Sequence, residues 1–187
     1  MLYKFISLIQ QVINKLRTMI VSSRFCSWGS GVICRGFKSN GPAQICCAND
    51  IHLNEHIWIS FNNHSGKLII ENGVYIGRFC TMSISTEIKI RKNALISDRV
   101  FIGDCNHGFL DTSKPISQQP IYFAGRVEIG EGSWIGIGVA ILPGVTVGKN
   151  AVIGANSVVT HDVPDYCIAA GNPARIISRL KPELEIK

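Results

Sequence analysis

A six-residue period runs without interruption through residues 129–164, and it limits the possible folds more than any other feature of the chain. The segment divides into the phrases IGEGSW, IGIGVA, ILPGVT, VGKNAV, IGANSV and VTHDVP. Each phrase begins with Ile or Val, and its fifth residue is small or β-branched. This period fits neither an α-helix nor an alternating strand and is typical of a parallel β-helix, in which each short strand stacks on its copy in the next coil. We therefore predict inward aliphatic side chains, small residues in the corners, and turns that use glycine.

The same period is present upstream. Two sets of apolar residues follow it: Ile70, Ile76 and Met82, then Ile90, Ile96 and Ile102. The two sets differ in phase by two residues, which predicts an insertion near residues 83–89. The period stops at Gly103 and resumes at Ile129, leaving a loop at 104–126. A loop of that length inside a regular solenoid is uncommon and is usually functional.

Three segments are expected along the chain. Residues 1–20 have apolar side chains at helical spacing, which predicts an N-terminal amphipathic helix. Residues 21–168 form the β-helix, opened by short strands and turns over 21–50. Residues 169–187 are predicted to form a last turn around Gly171-Asn172-Pro173 and a short helix broken at Pro182.

The N-terminal helix has two interpretations. It packs on the body or on a neighbouring subunit, or it lies at a membrane surface, where Lys4, Lys15 and Arg17 meet anionic headgroups. The segment is too polar to span a bilayer, and it shows no signal-peptide cleavage pattern.

Composition restricts the function classes. With 187 residues, of which 46% are hydrophobic, the chain is long enough for one domain with a buried core. The net charge of +6 comes without a dense Lys/Arg run interleaved with aromatics, which argues against nucleic acid. Seven cysteines with no CxxC pair fit a reducing cytoplasm, and Cys80 is expected to fill the core.

His107 is the main catalytic candidate. It lies where the regular coil stops and the long loop begins, beside Asp104 and Asn106. A histidine on the edge of a rigid scaffold can act as a general base near neutral pH. The competing interpretation is a surface histidine in a turn. Asp104, Asp111 or a backbone carbonyl is a candidate to orient its imidazole.

Other candidates are less specific. No second histidine between residues 65 and 160 accompanies His107, so a metal site is not expected. Trp134 occupies an outward position, where it walls a ligand groove or simply covers the coil. Arg175, Arg179 and Lys181 either meet phosphates or are scattered solvent-exposed charge.

Two sequence strings carry a family resemblance. They are IGDCNHGF and VEIGEGSWIGIGVAILPGVTVGKNAVIGANSVVTHDVPDYCIAAGNPARII. The chain resembles the hexapeptide-repeat acyltransferases over roughly residues 70–180, and within them the bacterial sugar O-acetyltransferases of the maltose, galactoside and lipopolysaccharide or colanic-acid type. The resemblance implies an all-β, left-handed parallel β-helix and a homotrimer, with each active site between two adjacent β-helices.

The resemblance also implies the site. His107 matches the catalytic histidine that follows an asparagine, here Asn106. Acetyl-CoA as co-substrate is expected along the coil, with no metal. Its pantetheine arm is expected near Gly136, Gly138, Ala140, Ala155 and Ser157, and its adenine and phosphate end near Thr160, His161, Pro173 and Arg175. Many relatives have Lys where this chain has His161, which weakens a phosphate contact there.

The expected function is acetyl-CoA-dependent transfer of an acetyl group to a sugar hydroxyl, in the biosynthesis of a surface polysaccharide. An N-acyltransferase acting on an amino sugar or another small molecule is the first alternative, since the same residues serve an amine. A non-catalytic β-helix scaffold is the second. The expected location is the cytoplasm, with possible contact between residues 1–20 and the inner membrane.

Overall fold

The computed structural model of the chain describes residues 27–40, 44–62 and 65–180, together with Ile6, Ile9, Val12 and Ile13. Within these residues the backbone forms stacked coils, and each of the first six coils gives one strand to each of three sheets. We name the sheets A, B and C in the order in which the chain enters them.

The first four coils contain these strands in turn: β1 (Ser27–Trp28), β2 (Ile33–Cys34) and β3 (Phe37–Ser39); β4 (Ile45–Cys47), β5 (His52–Leu53) and β6 (Ile57–Phe61); β7 (Lys67–Ile70), β8 (Tyr75–Ile76) and β9 (Thr81–Ile84); β10 (Glu87–Ile90), β11 (Leu95–Ile96) and β12 (Phe101–Gly103). An inserted hairpin follows, with β13 (Cys105–His107), a 3-10 helix (Ile116–Gln118) and β14 (Ile121–Phe123). The chain continues through coil 5, with β15 (Val127–Ile129), β16 (Trp134–Ile135) and β17 (Ala140–Ile141), and coil 6, with β18 (Thr146–Val147), β19 (Val152–Ile153) and β20 (Val158–Val159). Coil 7 contains β21 (Cys167–Gly171) and β22 (Ala174–Arg179).

All three sheets pair successive coils in parallel. Sheet A has the order β1-β4-β7-β10-β15-β18, sheet B β2-β5-β8-β11-β16-β19-β21-β22, and sheet C β20-β17-β12-β9-β6-β3. The last pair of sheet B, β21 and β22, is antiparallel. This arrangement confirms the all-β class and the stacked-coil architecture expected of a left-handed parallel β-helix.

The register explains the period and its interruption. Ile129 pairs with Val147, an advance of 18 residues, or three hexapeptides, per coil. Ile70 pairs with Ile90, an advance of 20 residues. The two additional residues lie between Met82 and Ile90, which confirms the insertion predicted near residues 83–89.

The core is a stack of inward aliphatic side chains. Ile96, Ile135 and Ile153 follow one another in sheet B and are all fully buried, as are their counterparts in the other two sheets. Burying each side chain of this size contributes about 1.5–3 kcal/mol. Cys80 also lies in the core, as predicted, and burial raises the pKa of its thiol to about 11.

The corners between sheets B and C use left-handed backbone in five successive coils. Gly138 and Asn156 have φ of +71° and +57°, which glycine and asparagine adopt readily. His56, Phe79 and Arg99 occupy the same position in coils 2 to 4, with φ of +60°, +57° and +59°. Bulky residues rarely adopt this conformation, so their side chains are held at this corner at a local cost.

The predicted C-terminal helix is wrong over the described residues. Ala174–Arg179 form strand β22, which pairs antiparallel with β21 after the turn at Gly171. Strand β21 is the last parallel strand of sheet B and offers free backbone donors and acceptors at its edge. Pairing with that edge satisfies the backbone of 174–179, whereas an isolated short helix is marginal in water. Pro182 lies outside the described residues.

The N-terminal segment is described at only four positions. Ile6, Ile9, Val12 and Ile13 are helical, and each is exposed. The remaining positions of the predicted amphipathic helix, including Leu2, Phe5 and Leu16, lie outside the described residues. In the part of the chain that the structure covers, no helix has the length and apolarity to cross a membrane. Among the described cysteines, Cys46 is disulfide-bonded, which differs from the reduced cysteines expected from the sequence, and the other five are free and buried.

Candidate active site

The catalytic candidate lies on the hairpin inserted at the corner between sheets C and A, after coil 4. His107 pairs with Ile121, and Asn106 pairs with Tyr122, across the antiparallel strands β13 and β14. Both His107 and Asn106 are exposed. Among the described residues, none forms a hydrogen bond with the exposed His107 imidazole.

Asp104 has a different role from the one expected. It is completely buried, and its carboxylate accepts hydrogen bonds from the backbone amides of Ser85 (2.6 Å), Thr86 (2.7 Å) and Glu87 (2.8 Å). Three successive amides that converge in this way form an anion-binding concavity. The carboxylate therefore fixes the base of the hairpin to the coil below and does not orient His107.

Asp111 does not orient the imidazole either. Its carboxylate accepts hydrogen bonds from the Ser113 amide and hydroxyl and forms an ion pair with Lys114 at 3.1 Å. The Ser113 hydroxyl, Lys114 and the Ser113 amide hold the pKa of Asp111 below its usual value. Among the described residues, no backbone carbonyl accepts a hydrogen bond from the imidazole either, so none of the three orienting groups expected from the sequence contacts His107.

The hairpin is closed by Gln119, a residue that sequence reasoning did not single out. Its amide nitrogen donates to the carbonyls of Asp111 (2.9 Å) and Lys114 (3.1 Å), and its side-chain oxygen accepts from the Asp111 amide (3.2 Å). The amide of Gly108 donates to the Pro120 carbonyl at 2.8 Å. Only the placement of a glutamine inside a Pro-flanked loop hinted at this role.

The hairpin exposes an unusual amount of apolar surface. Six of its large side chains are exposed: Phe109, Leu110, Ile116, Ile121, Tyr122 and Phe123. Contiguous apolar patches on a single chain commonly mark interaction surfaces. The segment that carries His107 therefore has the surface of an interface.

The residues expected to hold the pantetheine arm converge on a different corner, between sheets B and C. Gly136 and Gly138 lie at this corner in coil 5, and Ala155 and Ser157 lie at it in coil 6. The Ser157 hydroxyl donates to the Gly154 carbonyl at 2.6 Å and accepts from the Gly171 amide at 3.0 Å. This hydroxyl ties coil 6 to coil 7, so Ser157 supports the corner from inside.

The stacking at this corner requires glycine at position 136. A Cβ on Gly136 would lie 2.7 Å from the Ile153 carbonyl oxygen and 2.8 Å from the Ala155 nitrogen. No side chain fits at position 136, where the backbone of coil 5 lies against that of coil 6. Ala140 lies beside it on sheet C, between Phe101 and Val158.

The residues expected at the adenine and phosphate end are divided between two corners. Pro173 and Arg175 follow the Gly171 turn near the B–C corner, both exposed, and the Arg175 guanidinium donates to the Ala174 carbonyl at 2.9 Å. Thr160 and His161 lie at the C–A corner and are joined by a 2.8 Å hydrogen bond between Thr160 Oγ1 and His161 Nδ1.

Trp134 lies on the outer face of sheet B, where it pairs with Leu95 and Val152. Its ring is 49% exposed, and its indole nitrogen donates to the Ser97 hydroxyl at 3.1 Å. That hydrogen bond turns the ring toward the Ser97 side of the B–C corner. The tryptophan is thus available to border a groove along that corner.

Within one chain, the two halves of the expected site do not meet. His107 lies at the C–A corner, and Gly136, Gly138, Ala155 and Ser157 lie at the B–C corner, with the width of sheet C between them. At about 3.3 Å per strand residue, that width is on the order of 15 Å.

In the described ranges, no three His, Cys, Asp or Glu side chains are placed to share a metal ion.

Comparison with known proteins agrees with the repeat and the fold. Residues 126–161 match the family model described as bacterial transferase hexapeptide (six repeats). A Mycobacterium tuberculosis protein named as a probable acetyltransferase is 36% identical over 135 residues, which are 72% of this chain and 44% of the relative. The Escherichia coli protein WbbJ, whose name provisionally assigns it O-acetyl transfer in lipopolysaccharide biosynthesis, is 32% identical over 65% of each chain. The chain thus spans about half to two thirds of the length of these relatives.

Two solved structures are similar in fold. A galactoside acetyltransferase in complex with coenzyme A has a TM-score of 0.62 and 26% identity, covering 88% of this chain and 70% of its own. A point mutant of AntD, an N-acyltransferase from Bacillus cereus, in complex with dTDP-4-amino-4,6-dideoxyglucose and coenzyme A, has a TM-score of 0.75 at 20% identity, covering 89% and 90%. The stacked coils and the six in-phase repeats define a hexapeptide-repeat β-helix. Over residues 126–161 the chain carries the bacterial transferase hexapeptide repeat, and it is similar to proteins named as acetyltransferases of galactosides and of lipopolysaccharide.

Proposed function

We propose that the protein transfers an acetyl group from acetyl-CoA to a sugar hydroxyl, with His107 as the general base. The observation that carries the proposal is an exposed histidine whose imidazole has no partner among the described residues. It lies on a hairpin that the buried Asp104 fixes to a rigid scaffold. A base with free nitrogens on a fixed support is what proton abstraction from a bound hydroxyl requires.

In the proposed reaction the acetyl group passes directly from acetyl-CoA to the acceptor, without a covalent enzyme intermediate. The His107 imidazole accepts the proton of the acceptor hydroxyl while the hydroxyl oxygen attacks the thioester carbonyl carbon. The resulting oxyanion is stabilised by backbone N–H groups. The C–S bond then breaks, and the imidazolium returns the proton to the departing thiolate. A positioned base of this kind contributes about 10²–10⁴-fold to the rate.

The B–C corner suits an extended, flexible co-substrate. Gly136 and Gly138 add no side chain of their own to this corner, so their backbone groups can approach the pantetheine arm of acetyl-CoA closely. Ala140 and Ala155 continue that surface beside the exposed Ile137, Ser157 supports it from inside, and Trp134 lies at its border. Thr160, His161, Pro173 and Arg175 are the groups we assign to the nucleotide end.

The site is completed by a second copy of the chain in a homotrimer. Two observations support this proposal: the separation of His107 from the B–C corner within one chain, and the exposed apolar residues of the hairpin. Docking the hairpin against the B–C corner of a neighbour covers the apolar residues and brings His107 to the thioester. Asn106, adjacent on β13, then faces the acceptor.

The acceptor that we propose is based on the proteins to which this chain is similar. We propose a sugar of a surface polysaccharide, such as lipopolysaccharide or capsule, because WbbJ is associated with lipopolysaccharide biosynthesis. The amino sugar bound to AntD favours a second candidate, N-acylation of an amino sugar, in which the same His107 accepts the proton of an amine. A cytoplasmic location with peripheral membrane contact through residues 1–20 completes the proposal. The exposed Ile6, Ile9, Val12 and Ile13 are consistent with that contact.

Thiol release from acetyl-CoA tests the activity, with wild type and His107→Ala compared over free sugars, amino sugars, nucleotide sugars and lipid-linked oligosaccharide. Release on a hydroxyl sugar that disappears in the variant supports O-acetyl transfer. Release with amino sugars alone favours the N-acyl candidate. Absence of both release and coenzyme binding would leave the β-helix scaffold.

A further inference from the structure

A cavity at the far end of the same corner has no role in the site described so far. It lies between coils 1 and 2 and has a volume of about 530 Å³. Its polar and aromatic lining comes from the two B–C turns and the strands that follow them: Arg35, Phe37, Lys38, Glu55, His56 and Trp58. This volume is within the range of small-molecule sites, about 300–1,000 Å³.

Two cations, Arg35 and Lys38, line this cavity together. Among the described residues, Arg35 and Lys38 form no ion pair, whereas on sheet A Lys89 and Arg91 are paired with Glu71, and Arg91 also with Glu128. Arg35 and Lys38 are both exposed. Two unpaired cations in one concave site attract an anion with more than one charge, such as a diphosphate.

The aromatic groups of the cavity provide flat faces. Trp58 is 42% exposed and is the cross-strand partner of Lys38. The His56 ring stacks on Phe79, with ring centroids 4.8 Å apart and planes 7° apart. Both His56 and Phe79 project from the left-handed backbone that bulky residues rarely adopt. Flat apolar faces of this kind bind a ring, and the Glu55 carboxylate accepts hydrogen bonds from hydroxyl groups.

The position of the cavity relates it to the transfer site. Coils 2 and 1 are three and four coils below Gly136, and adjacent parallel strands are about 4.8 Å apart, so the cavity lies about 14–19 Å from the surface assigned to the pantetheine arm. That span exceeds a single sugar ring and suits a sugar extended by a diphosphate. Both ends lie along the same corner of the β-helix.

We propose that the cavity at coils 1 and 2 binds the diphosphate end of the acceptor, so that the acceptor is a diphosphate-linked sugar and not a free sugar. This inference rests on the proposed acetyl transfer. Arg35 and Lys38 contact the phosphates, while Trp58, the His56–Phe79 stack and Glu55 contact a ring next to them. Nucleotide sugars and polyprenyl-diphosphate sugars share this chemistry.

The test is equilibrium binding to the full chain, by calorimetry, of UDP-N-acetylglucosamine, dTDP-glucose, a short polyprenyl-diphosphate-linked N-acetylglucosamine, and free N-acetylglucosamine. We expect at least one diphosphate conjugate to bind at least about tenfold more tightly than the free sugar, since the two cations add charge-assisted hydrogen bonds. Which conjugate binds separates a nucleotide from a lipid source. Arg35→Ala and Lys38→Ala are each expected to weaken that binding about tenfold, with the largest effect at low salt, because each removes a charge-assisted hydrogen bond.

Two controls make the outcome specific. Lys67→Ala removes an exposed cation of coil 3 on sheet A and should change no affinity. The affinity for coenzyme A should stay unchanged in Arg35→Ala and Lys38→Ala, which also verifies that they are folded. Equal affinity for free and diphosphate-linked sugar, or unchanged binding in the Arg35→Ala/Lys38→Ala double variant, overturns the inference while acetyl transfer stands. If the wild type does not bind coenzyme A, the acetyl-transfer proposal is overturned. The binding measurements with diphosphate-linked sugars would still test whether the cavity binds a diphosphate.

Discussion

Coils 5 and 6 and the inserted hairpin are adjacent in the fold, yet the coils bury their large side chains and the hairpin exposes them. Ile129, Ile141 and Val147 of the coils are 0% exposed. All three residues of β14 in the hairpin are 39–47% exposed. The coils bury their side chains against their own repeats, whereas a two-stranded hairpin has no core of its own. The comparison shows that the regular repeat buries its own side chains, while the interruption exposes His107 and its apolar neighbours.

The largest effect is expected on the hairpin side, in catalysis. His107→Ala should lower turnover by about 10²–10⁴-fold, because the variant lacks the base that accepts the hydroxyl proton. The thermal unfolding midpoint should stay the same, because His107 is exposed and its imidazole is unbonded among the described residues. Thiol release and differential scanning calorimetry measure the two quantities. His52→Ala, which removes an exposed histidine of β5, is the matched control, and activity close to wild type in His107→Ala would sink the assignment.

Among variants of the coils, the largest effect is expected on the free energy of unfolding. Ile141→Ala should lower the free energy of unfolding by about 2–5 kcal/mol, because the truncation leaves a cavity in a closely packed stack. Chemical denaturation measures the loss. Ile137→Ala, in the same coil but 45% exposed, should cost far less. Similar losses in the two variants would show that the in-phase positions are not what holds the coils together.

The junction between the two regions is Asp104. Asp104→Asn keeps the shape of the side chain but points an NH₂ group at backbone amides that now donate to a carboxylate. We expect a loss of about 1–3 kcal/mol in the free energy of unfolding, since at least one buried donor loses its acceptor. Faster amide hydrogen exchange at Ser85, Thr86 and Glu87 should accompany the loss. Unchanged exchange at these three amides would mean that the hairpin base is fixed by other contacts.

The smallest effect is expected at an exposed ion pair of the coils. The Arg78 amide, at 2.7 Å, and then its guanidinium, at 2.8 Å, donate to Asp98 and hold the pKa of that carboxyl below its usual value. The stabilisation is therefore present above about pH 4 and is lost as the pH falls through the lowered pKa. Asp98→Asn should lower the unfolding midpoint slightly at neutral pH, and this difference should shrink as the pH falls through the lowered pKa of the carboxyl. A loss comparable to that of Ile141→Ala would contradict the minor role of surface charge.

The sequence predicted the elements that repeat and missed those that depend on distant partners. The period placed the inward side chains of residues 129–163 correctly, because each hexapeptide meets a copy of itself. A short helix was predicted after the turn at Gly171-Asn172-Pro173, but residues 174–179 pair with the edge of β21 and form a strand. The role of Asp104 depends on the amides of residues 85–87, brought beside it by one turn of the coil, and no local pattern shows that contact.

The site was only partly predictable for the same reason. The Asn106-His107 pair and the glycines of the B–C corner are visible as motifs. Their separation by the width of sheet C follows from the three-sided winding of the chain, which the period alone does not convey. The cavity at coils 1 and 2 lies where the period is weakest, and its residues carry no recognisable spacing.

Strand β22 covers the edge of sheet B at the last coil. A stack of parallel strands has no natural end, since its last coil offers the same backbone groups that the previous coil used. By folding back antiparallel onto β21, the chain covers that edge of sheet B with its own backbone. Removal of residues 174–180 would leave β21 open to the first coil of another molecule. We expect loss of this strand to favour association between molecules through the exposed edge of β21.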